Sequence, residues 1–454
     1  MKSQLGLITP FVDEGLGNSS YVVDLGEGRG LVIDPVRDVE SYARFAGEHH
    51  LELAYSLETH LHADFVSGSR ELAKIGATIL APRGADLAFP HRPLEADEEY
   101  DLSGLTLRAV GTPGHTPEHL AYLLLDGRTP KALFSGGALI VGSVARTDLI
   151  SPEQTEPLAR ALFRALRERI LSLPDELPVY PTHGAGSFCS APGTGERTTT
   201  IGRERASNPL LSAPDEDDFL RLLTAGLGSY PDYFLRLREV NRRGPAVYGS
   251  DLPDLAQLTP AQLQAAVDAG AELIDVRPIS QFAAGHIPGS LSIALRPAFA
   301  SWLGWIVDAD RALVFVAGAD QDRGEVVRQC LKIGYEHLRG ELAGGMQSWL
   351  ALGRLEERTE LSSDAPAQHA PILDVRQTSE YEAGHVPGAN HVELGSLAEQ
   401  ADSVAADPVV MCGHGERAMT GASLLEREGG RPAVFLGGPE EMARERGERL
   451  TRGT

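Results

Sequence analysis

The sequence predicts a multidomain α/β protein, and three observations support this class. The chain has 454 residues, more than one ordinary hydrophobic core accommodates, which indicates two to four domains. Short apolar strands alternate with helical segments along most of its length. Residues 275–290 recur as residues 374–389, a domain-sized offset within a strand–helix pattern. We therefore expect parallel sheets with helices on both faces in the last two hundred residues.

Composition narrows the function classes. The formal net charge is -23, which disfavours nucleic acids and anionic membranes as partners. The cysteines Cys189, Cys330 and Cys412 are widely separated, so neither a disulfide framework nor a structural zinc cluster is expected. The first residues lack an apolar signal core and no apolar run is long enough to span a membrane, so we expect a cytoplasmic protein.

The first elements follow from periodicity. Two apolar runs in residues 18–33 flank a glycine-containing turn and predict a hairpin. Residues 39–50 have a helical pattern, and residues 51–57 alternate as a half-buried strand does. Further on, residues 151–172 predict a long amphipathic helix that begins with a serine cap and Pro152.

The loop of residues 59–68 follows the predicted strand and contains His60, His62 and Asp64. An H-x-H pair at a strand end directs two imidazoles to one place, and imidazole is the commonest metal ligand. The alternative is a pair of surface histidines.

Two more loops at strand ends carry histidines. Residues 111–119 contain His115 and, further on, His119, and residues 179–184 end with His183. Three strand-end loops that each present a ligand are difficult to explain by chance, so the sequence predicts a metal site.

These motifs resemble the metallo-β-lactamase fold, and more narrowly its persulfide dioxygenase branch. The resemblance rests on residues 59–68, 111–118, 145–149 and 183–187. It implies an αββα sandwich over residues 1–245, with the site at one edge of the sheets. It further implies that one iron oxidises a glutathione-type persulfide to sulfite.

The chain departs from this branch at two positions. The resemblance implies that iron is held by His60, His115 and a carboxylate after Phe134-Ser135-Gly136, but Gly137 occupies that position. Phe65 stands where the wider superfamily has a histidine for a second metal, so a two-metal hydrolase is not expected.

The hypothesis for this domain is therefore a mononuclear site. His60, His62 and His115 would hold one divalent metal, Fe(II) or alternatively Zn, with help from Asp64 or His183. The alternative is a metal-poor domain that acts only as a thiol- or persulfide-binding scaffold.

Three further residues near these motifs have candidate roles. Arg146 is a candidate substrate-binding residue, because a guanidinium pairs with a carboxylate in a bidentate way; the alternative is a surface ion pair. Asp148 is either a substrate-side residue or a cap before the helix at Pro152. Cys189 is expected to be a packed thiol.

The repeated segments both resemble rhodanese domains, through the signature D-V-R…G-H-I/V-P-G. We place one domain at residues 252–356 and the second at residues 366–454, joined by a polar, mobile linker at residues 361–368. His286 and His385 of the signature are expected to fix the loop before a strand.

The second copy contains a candidate nucleophile. Cys412 follows an apolar strand, and its loop closes on a helix N-terminus, which favours an anionic thiolate or persulfide. Arg417 in the C-x4-R spacing would orient substrate and make the loop electropositive. The substrate-binding loop would consist of Gly413, His414, Gly415 and Glu416. The alternative is a buried cysteine in a helix-capping turn.

The first copy has Ala317 in the position of the nucleophile, and Asp320 and Asp322 make its loop anionic. We expect this copy to be inactive and Cys330 to lie in its core.

Together these features predict metal-dependent oxidation of a low-molecular-weight persulfide, coupled to sulfur transfer through a persulfide on Cys412. The alternative is a sulfurtransferase only. Expected partners are small persulfide and thiol substrates, without nucleic acid or membrane, and a homodimer is left open.

Overall fold

The fold is that of a computed structural model, which describes residues 5–189, 195–249, 251–405 and 407–453. The chain forms two compact units. The first comprises Met1–Leu252 with Leu331–Gly334, and the second comprises Pro253–Cys330 with Tyr335–Thr454. Both units combine sheets and helices, which confirms the predicted α/β class.

The first sheet of the first unit has six strands in sequential order. They are β1 (Ile8–Asp13), β2 (Asn18–Gly26), β3 (Arg29–Ile33), β4 (Glu52–Leu57), β5 (Thr78–Pro82) and β6 (Arg92–Leu94). Strands β2 and β3 form the predicted hairpin, and β3 to β6 run parallel.

The second sheet also has six strands, in the order β12-β11-β10-β9-β8-β7. They are β7 (Glu99–Asp101), β8 (Leu105–Gly111), β9 (Leu120–Asp126), β10 (Thr129–Gly136), β11 (Pro178–Pro181) and β12 (Thr199–Thr200). Only the β10–β11 pair is parallel among these described strands.

Six α-helices belong to the described part of this unit. They are α1 (Glu40–Glu48), α2 (Ser69–Lys74), α3 (Pro152–Ala165), α4 (Ile201–Ser207), α5 (Glu216–Ala225) and α6 (Tyr233–Arg243). Helix α3 ends before the predicted Ser172, because the chain continues as a π-helical turn over Leu166–Ile170. The Ser151 side chain makes no capping hydrogen bond to the helix backbone, contrary to the prediction.

The two sheets pack face to face around one core. Leu105, Leu107 and Ala109 alternate along β8 and point into this core, because successive side chains of a strand face opposite sides. Helices α1 and α2 cover the outer face of the first sheet, while α3 and α5 cover that of the second. The domain is thus the predicted αββα sandwich.

The second unit contains two five-stranded parallel sheets. The first has the order β13-β17-β16-β14-β15 and lies among helices α7 to α11. Its elements are β13 (Gln257–Leu258), α7 (Pro260–Asp268), β14 (Glu272–Asp275), α8 (Ile279–Ala284), β15 (Leu291–Ser292), α9 (Phe299–Ile306), β16 (Leu313–Val316), α10 (Arg323–Lys332), β17 (Leu338–Leu342) and α11 (Gly345–Leu350).

The second of these sheets repeats the pattern, in the order β18-β22-β21-β19-β20. Its elements are β18 (Glu360–Ser362), β19 (Ile372–Asp374), α12 (Thr378–Ala383), β20 (Asn390–His391), α13 (Leu397–Gln400), β21 (Val409–Met411), α14 (Glu416–Arg427), β22 (Ala433–Phe435) and α15 (Pro439–Arg446). The predicted mobile linker was wrong at its start, because Glu360–Ser362 pairs with β22 as an edge strand.

The repeated signature has a structural explanation. In each copy the aspartate of D-V-R accepts hydrogen bonds from the arginine two residues later, as in Asp275 with Arg277. The same guanidinium donates to the carbonyl of the glycine before the signature histidine, at 2.9 Å in the first copy. His286 and His385 each stack on the aromatic ring four residues earlier, which supports the structural role predicted for them.

Across the described ranges, we find no helix with both the length and the apolar character needed to cross a membrane.

Candidate functional site

Three buried histidines from three loops meet at one end of the sandwich. His60 follows β4, His115 follows β8 and His183 follows β11. Each is about 1% exposed, and one ligand nitrogen from each lies within 4.8 Å of the others. The Nε2 atoms of His60 and His183 are 3.3 Å apart.

Hydrogen bonds fix the tautomer of His60. The Thr59 hydroxyl donates to Asp34 Oδ2 at 2.8 Å, so its oxygen accepts from Nδ1 of His60, also at 2.8 Å. Since Nδ1 carries the proton, Nε2 of His60 presents a lone pair to the centre of the cluster.

The other two rings are oriented in the same way. Nδ1 of His115 donates to the carbonyl of Arg146 at 2.7 Å. Nδ1 of His183 faces two acceptors, Asn18 Oδ1 at 3.0 Å and Asp64 Oδ2 at 3.3 Å. Both rings therefore present Nε2 as a lone pair, as metal-ligating histidines held by a second partner do.

The donor set fits a divalent cation. Nε2 of His115 and Oδ1 of Asp64 are buried without a hydrogen-bond partner. The facing lone pairs of His60 and His183 repel each other unless a cation or a proton lies between them. Buried polar atoms without partners are costly, and a bound metal would satisfy them.

The protonation states suit ligation as well. Burial, reinforced by the neighbouring histidines, holds the pKa of His60 and His115 well below the usual value. Burial alone would raise the pKa of Asp64, but His183 and His62 hold it well below its usual range. The imidazoles of His60 and His115 are therefore neutral, and the carboxyl of Asp64 is ionised, near neutral pH.

His62 was predicted to share a metal with His60 and His115, but its ligand atom does not group with theirs. Its ligand atom groups instead with Asp64 and His183, and its Nε2 lies 3.2 Å from both Asp34 and Glu58. Burial alone would lower the pKa of His62, but these two carboxylates raise it to about 10. The third member of the central histidine group is His183, which the sequence suggested only as a helper.

Position 137 is closed to a side chain. The point that a Cβ on Gly137 would occupy lies 2.8 Å from the Cβ of Ala145 and 2.9 Å from Cδ2 of His115. The side chains of Ala145 and His115 thus occupy the space beside the glycine, and no carboxylate fits there without displacing His115.

His119 was offered by the sequence as a second candidate ligand in the loop of His115, but in the structure its ring has a different role. Its Nε2 accepts the backbone N–H of Gly137 at 3.0 Å, and its ring stacks on that of His60 with centroids 5.0 Å apart. Burial lowers its pKa to about 3, so the ring remains a neutral acceptor. His119 therefore packs against His60 and holds the backbone of Gly137, outside the central group. Nothing in its sequence position indicated this supporting role.

Arg146 is not available to substrate, contrary to the prediction. It is 3% exposed and forms a bidentate pair with Asp148, with bonds of 2.7 and 2.8 Å. It also donates to the carbonyls of Phe188 and Gly228. Its role, and that of Asp148, is to hold the loop whose carbonyl orients His115.

The remaining residues near the cluster are packed. Phe65 is fully buried and stacks on His62 with centroids 4.2 Å apart, so it supplies no second-metal ligand. Cys189 is buried, and burial together with Asp64 raises its thiol pKa well above the usual value. It is the packed thiol that was predicted.

A small cavity of about 20 Å³ lies beside His60 and His62. Its other lining residues include Leu87, Phe89 and Asn241. A space of this size holds about one water molecule.

The second candidate centre is the loop after β21. Cys412 is 1% exposed, and its Sγ accepts the backbone N–H of Gly415 at 3.1 Å. Gly415 has φ +98°, and α14 begins at the next residue. The sulfur thus lies at a helix N-terminus, where the backbone favours an anion.

Arg417 is close to this loop but is already paired. Its Nη1 and Nη2 atoms donate to the two carboxylate oxygens of Glu380 at 2.5 and 2.8 Å. The predicted free positive charge beside Cys412 is therefore offset by a carboxylate on α12. His414 is exposed, Gly413 and Glu416 are half-buried, and Gly415 is buried.

The equivalent loop of the first copy is filled by its own side chains. Gln321 accepts from the N–H of Gly318 at 2.8 Å and donates to the carbonyl of Val276 at 2.6 Å. Arg323 donates to the carbonyl of Gly318 at 2.6 Å. With Ala317 in place of a thiol, this loop has no nucleophile, and Cys330 is fully buried as predicted.

Family comparisons agree with this division. The metallo-beta-lactamase superfamily matches residues 13–183, and the rhodanese-like domain matches residues 259–352 and 357–445. The predicted boundaries between domains remain predictions at the level of single residues.

Individual relatives and a solved structure match parts of the chain. The human mitochondrial persulfide dioxygenase ETHE1 is 27% identical over 209 residues, 45% of this chain and 75% of that protein. A hydroxyacylglutathione hydrolase of Pseudomonas putida is 31% identical over 229 residues, 48% of this chain and 80% of that protein. A crystal structure of a metallo-beta-lactamase from Staphylococcus aureus covers 74% of this chain and 98% of its own, with 28% identity and a TM-score of 0.65.

Proposed function

Because the chain belongs to the metallo-β-lactamase superfamily and carries two rhodanese-like domains after that fold, we propose that it oxidises a low-molecular-weight persulfide and transfers sulfane sulfur through Cys412. The coarser conclusion, an enzyme of sulfur metabolism, follows from both similarities. In the proposal the substrate is a glutathione-type persulfide and the cofactor is a divalent metal, with iron as the first choice. The proposed location is the cytoplasm.

The proposed oxidation is supported by one observation above all. The lone pairs of His60, His115 and His183 converge in a metallo-β-lactamase-like domain, and the chain is similar to a persulfide dioxygenase. Iron(II) bound by these three residues would supply the reactivity toward dioxygen that imidazole-ligated non-haem sites provide. In the overall reaction a persulfide, dioxygen and water give a thiol and sulfurous acid, so the outer sulfur is oxidised and dioxygen is reduced.

The chain's own residues prepare this centre. Thr59 and Asp34 fix His60, the Arg146 carbonyl fixes His115, and Asn18 with Asp64 fixes His183. Burial excludes bulk water and keeps the imidazoles of His60 and His115 neutral. Because Gly137 provides no carboxylate, the centre has one negative charge fewer than a site with an acidic ligand at that position, so an anionic persulfide would meet a more positive centre.

Sulfur transfer follows from the Cys412 loop. The Cys412 thiolate attacks the outer sulfur of R–S–SH, the S–S bond of the donor breaks, and R–S⁻ leaves. The enzyme then holds Cys–S–SH, whose outer sulfur passes to an acceptor thiolate or cyanide. The N–H of Gly415 stabilises the negative sulfur before and after each step.

Two variants test the two centres in the full chain. With glutathione persulfide, the iron-loaded protein should consume oxygen, and His115→Ala should lose this uptake together with more than about 100-fold in metal affinity. Metal content by mass spectrometry provides a readout independent of activity. His49→Ala, an exposed histidine of the same unit, serves as the matched control.

Cys412→Ser should abolish thiocyanate formation from persulfide and cyanide while it leaves oxygen uptake intact. Oxygen uptake that survives His115→Ala, or only trace metal in the unaltered protein, would instead favour the sulfurtransferase-only alternative. In that case the first unit would be a scaffold that binds thiols or persulfides.

A further inference from the structure

We propose that Glu380 sets the sulfur-donor specificity of Cys412, by pairing with Arg417 so that the loop favours persulfides over dianionic donors such as thiosulfate. The inference rests on the proposed sulfur transfer at Cys412 and adds the class of donor and the residue that selects it. Glu380 acts through Arg417, so it is a positioning residue.

The geometry of the ion pair supports this. Both carboxylate oxygens of Glu380 accept from Arg417, and the two side chains are only 40% and 15% exposed. A bidentate pair of this kind occupies the face of the guanidinium that would otherwise bind an oxyanion. Because the pair is neutral, a dianion entering the loop would gain little from Arg417 and would be repelled by Glu380.

The helix geometry keeps Glu380 in this orientation. Its Oε2 also accepts the N–H of Gln377, as in a capping box at the start of α12. The carboxylate is therefore fixed from two directions, and Arg417 cannot swing away without leaving a partly buried charge unpaired.

The first copy provides an internal comparison. Alignment on the D-V-R motifs puts Gln281 opposite Glu380, and alignment on the strand ends puts Asp322 opposite Arg417. Both members of the pair are replaced in the copy that lacks the nucleophile. The pair thus accompanies Cys412, whereas the Asp–Arg pair of the D-V-R signature is present in both copies.

Apolar side chains line another part of the rim. Ile279 Cδ1 and Leu436 Cδ2 lie 3.2 and 2.9 Å from the point that a Cβ on Gly415 would occupy. The Trp302 ring lies 5.7 Å from the guanidinium carbon of Arg417. Leu436 is 39% exposed and adds an apolar side chain to the surface at this loop. Apolar surface suits the carbon part of an organic persulfide, which thiosulfate lacks.

The chemistry of the two donors is otherwise parallel. Thiosulfate would give its outer sulfur to the Cys412 thiolate with sulfite as the leaving group, and a persulfide would do so with a thiolate as the leaving group. Both reactions break one S–S bond, form one S–S bond and need no external oxidant. They differ in the charge that the loop must accept.

The test measures kcat/KM for thiocyanate formation with thiosulfate and with glutathione persulfide, in the full chain. The unaltered protein should prefer the persulfide, and Glu380→Gln should raise the thiosulfate-to-persulfide ratio about tenfold, in line with the strength of a hydrogen bond to a charged group. Glutamine retains the capping contact with Gln377, so the helix start is preserved.

Glu382→Gln removes an exposed charge from the same helix and should leave the ratio unchanged. In the double variant Glu380→Gln/Arg417→Gln the thiosulfate-to-persulfide ratio should return to that of the unaltered protein, because the guanidinium is absent. A purely structural effect of residue 380 would leave the raised ratio unchanged. A preference for thiosulfate in the unaltered protein, or a ratio unmoved by Glu380→Gln, would overturn the inference. Absence of transfer from both donors would instead refute the proposed function.

Discussion

At the scale of residues, hydrogen bonds decide which nitrogens of the histidine cluster are available. His60, His115 and His183 each use Nδ1 as a donor to an oxygen of a neighbouring segment, which leaves Nε2 free. His119 uses Nε2 as an acceptor and is therefore excluded from ligation. Chemically identical side chains thus acquire different roles from their partners alone.

Gly137→Ala should destabilise the first unit by about 1 to 3 kcal/mol, because an added methyl overpacks against Ala145 and His115. Metal content should fall in parallel, since His115 is displaced. Thermal unfolding followed by circular dichroism and metal analysis provides the measurements.

The matched control is Gly47→Ala, a helix position where a Cβ would meet no atom within 4 Å. It should be neutral or stabilising by up to about 1 kcal/mol. Equal stability of the two variants would show that the backbone at residue 137 accommodates a side chain.

At the scale of elements, helices α12 and α14 are joined beside Cys412 by the Glu380–Arg417 pair. Burial alone would raise the pKa of Glu380, but the bonds from Arg417 lower it below the usual value of 4.5. A carboxyl with a depressed pKa contributes stability above its unfolded pKa, and this contribution is lost as the pH falls through the lower, folded value.

In the Glu380→Gln variant the stability of the second unit should therefore fall less steeply as the pH is lowered. At neutral pH the unaltered protein should be more stable than the variant, and the difference should shrink below about pH 4.5 as Glu380 becomes protonated. Thermal midpoints of both proteins between pH 3 and 7 provide the comparison. A difference that stays constant over this range would contradict a role for the ionised carboxylate.

At the scale of the whole molecule, the histidine cluster and Cys412 belong to separate compact units of one chain. A shared chain keeps two centres at an effective concentration of roughly millimolar for a short flexible connection, without any new contact. Under the proposed function both centres handle a reactive sulfur species, and a shared chain would suit its transfer.

Chelation should separate the two activities. Removal of the metal should abolish oxygen uptake, because the histidine cluster loses its ion, and should change thiocyanate formation by less than about twofold, because Cys412 transfer needs no metal. Readdition of iron(II) should restore oxygen uptake. Parallel loss of both activities would indicate that the second unit depends on the metal.

Much of the architecture was determined by the sequence itself. Alternating apolar residues predict single strands such as β8, and strand–helix alternation around the repeated D-V-R signature predicts the two parallel sheets, because burial periodicity is a local property. The sandwich was implied by the resemblance of the histidine motifs to the metallo-β-lactamase fold. The residues His60, His115 and Cys412 were also found this way, since each follows a strand that ends in a short motif.

Only the tertiary structure decided how those side chains are used. His183 takes the place predicted for His62 in the central group. The two arginines expected to meet substrate are paired with carboxylates, Arg146 with Asp148 and Arg417 with Glu380. Each of these outcomes depends on a partner or packing neighbour that the motif itself does not specify. The sequence thus named the chemical groups, while their lone pairs, charges and partners were set by long-range packing.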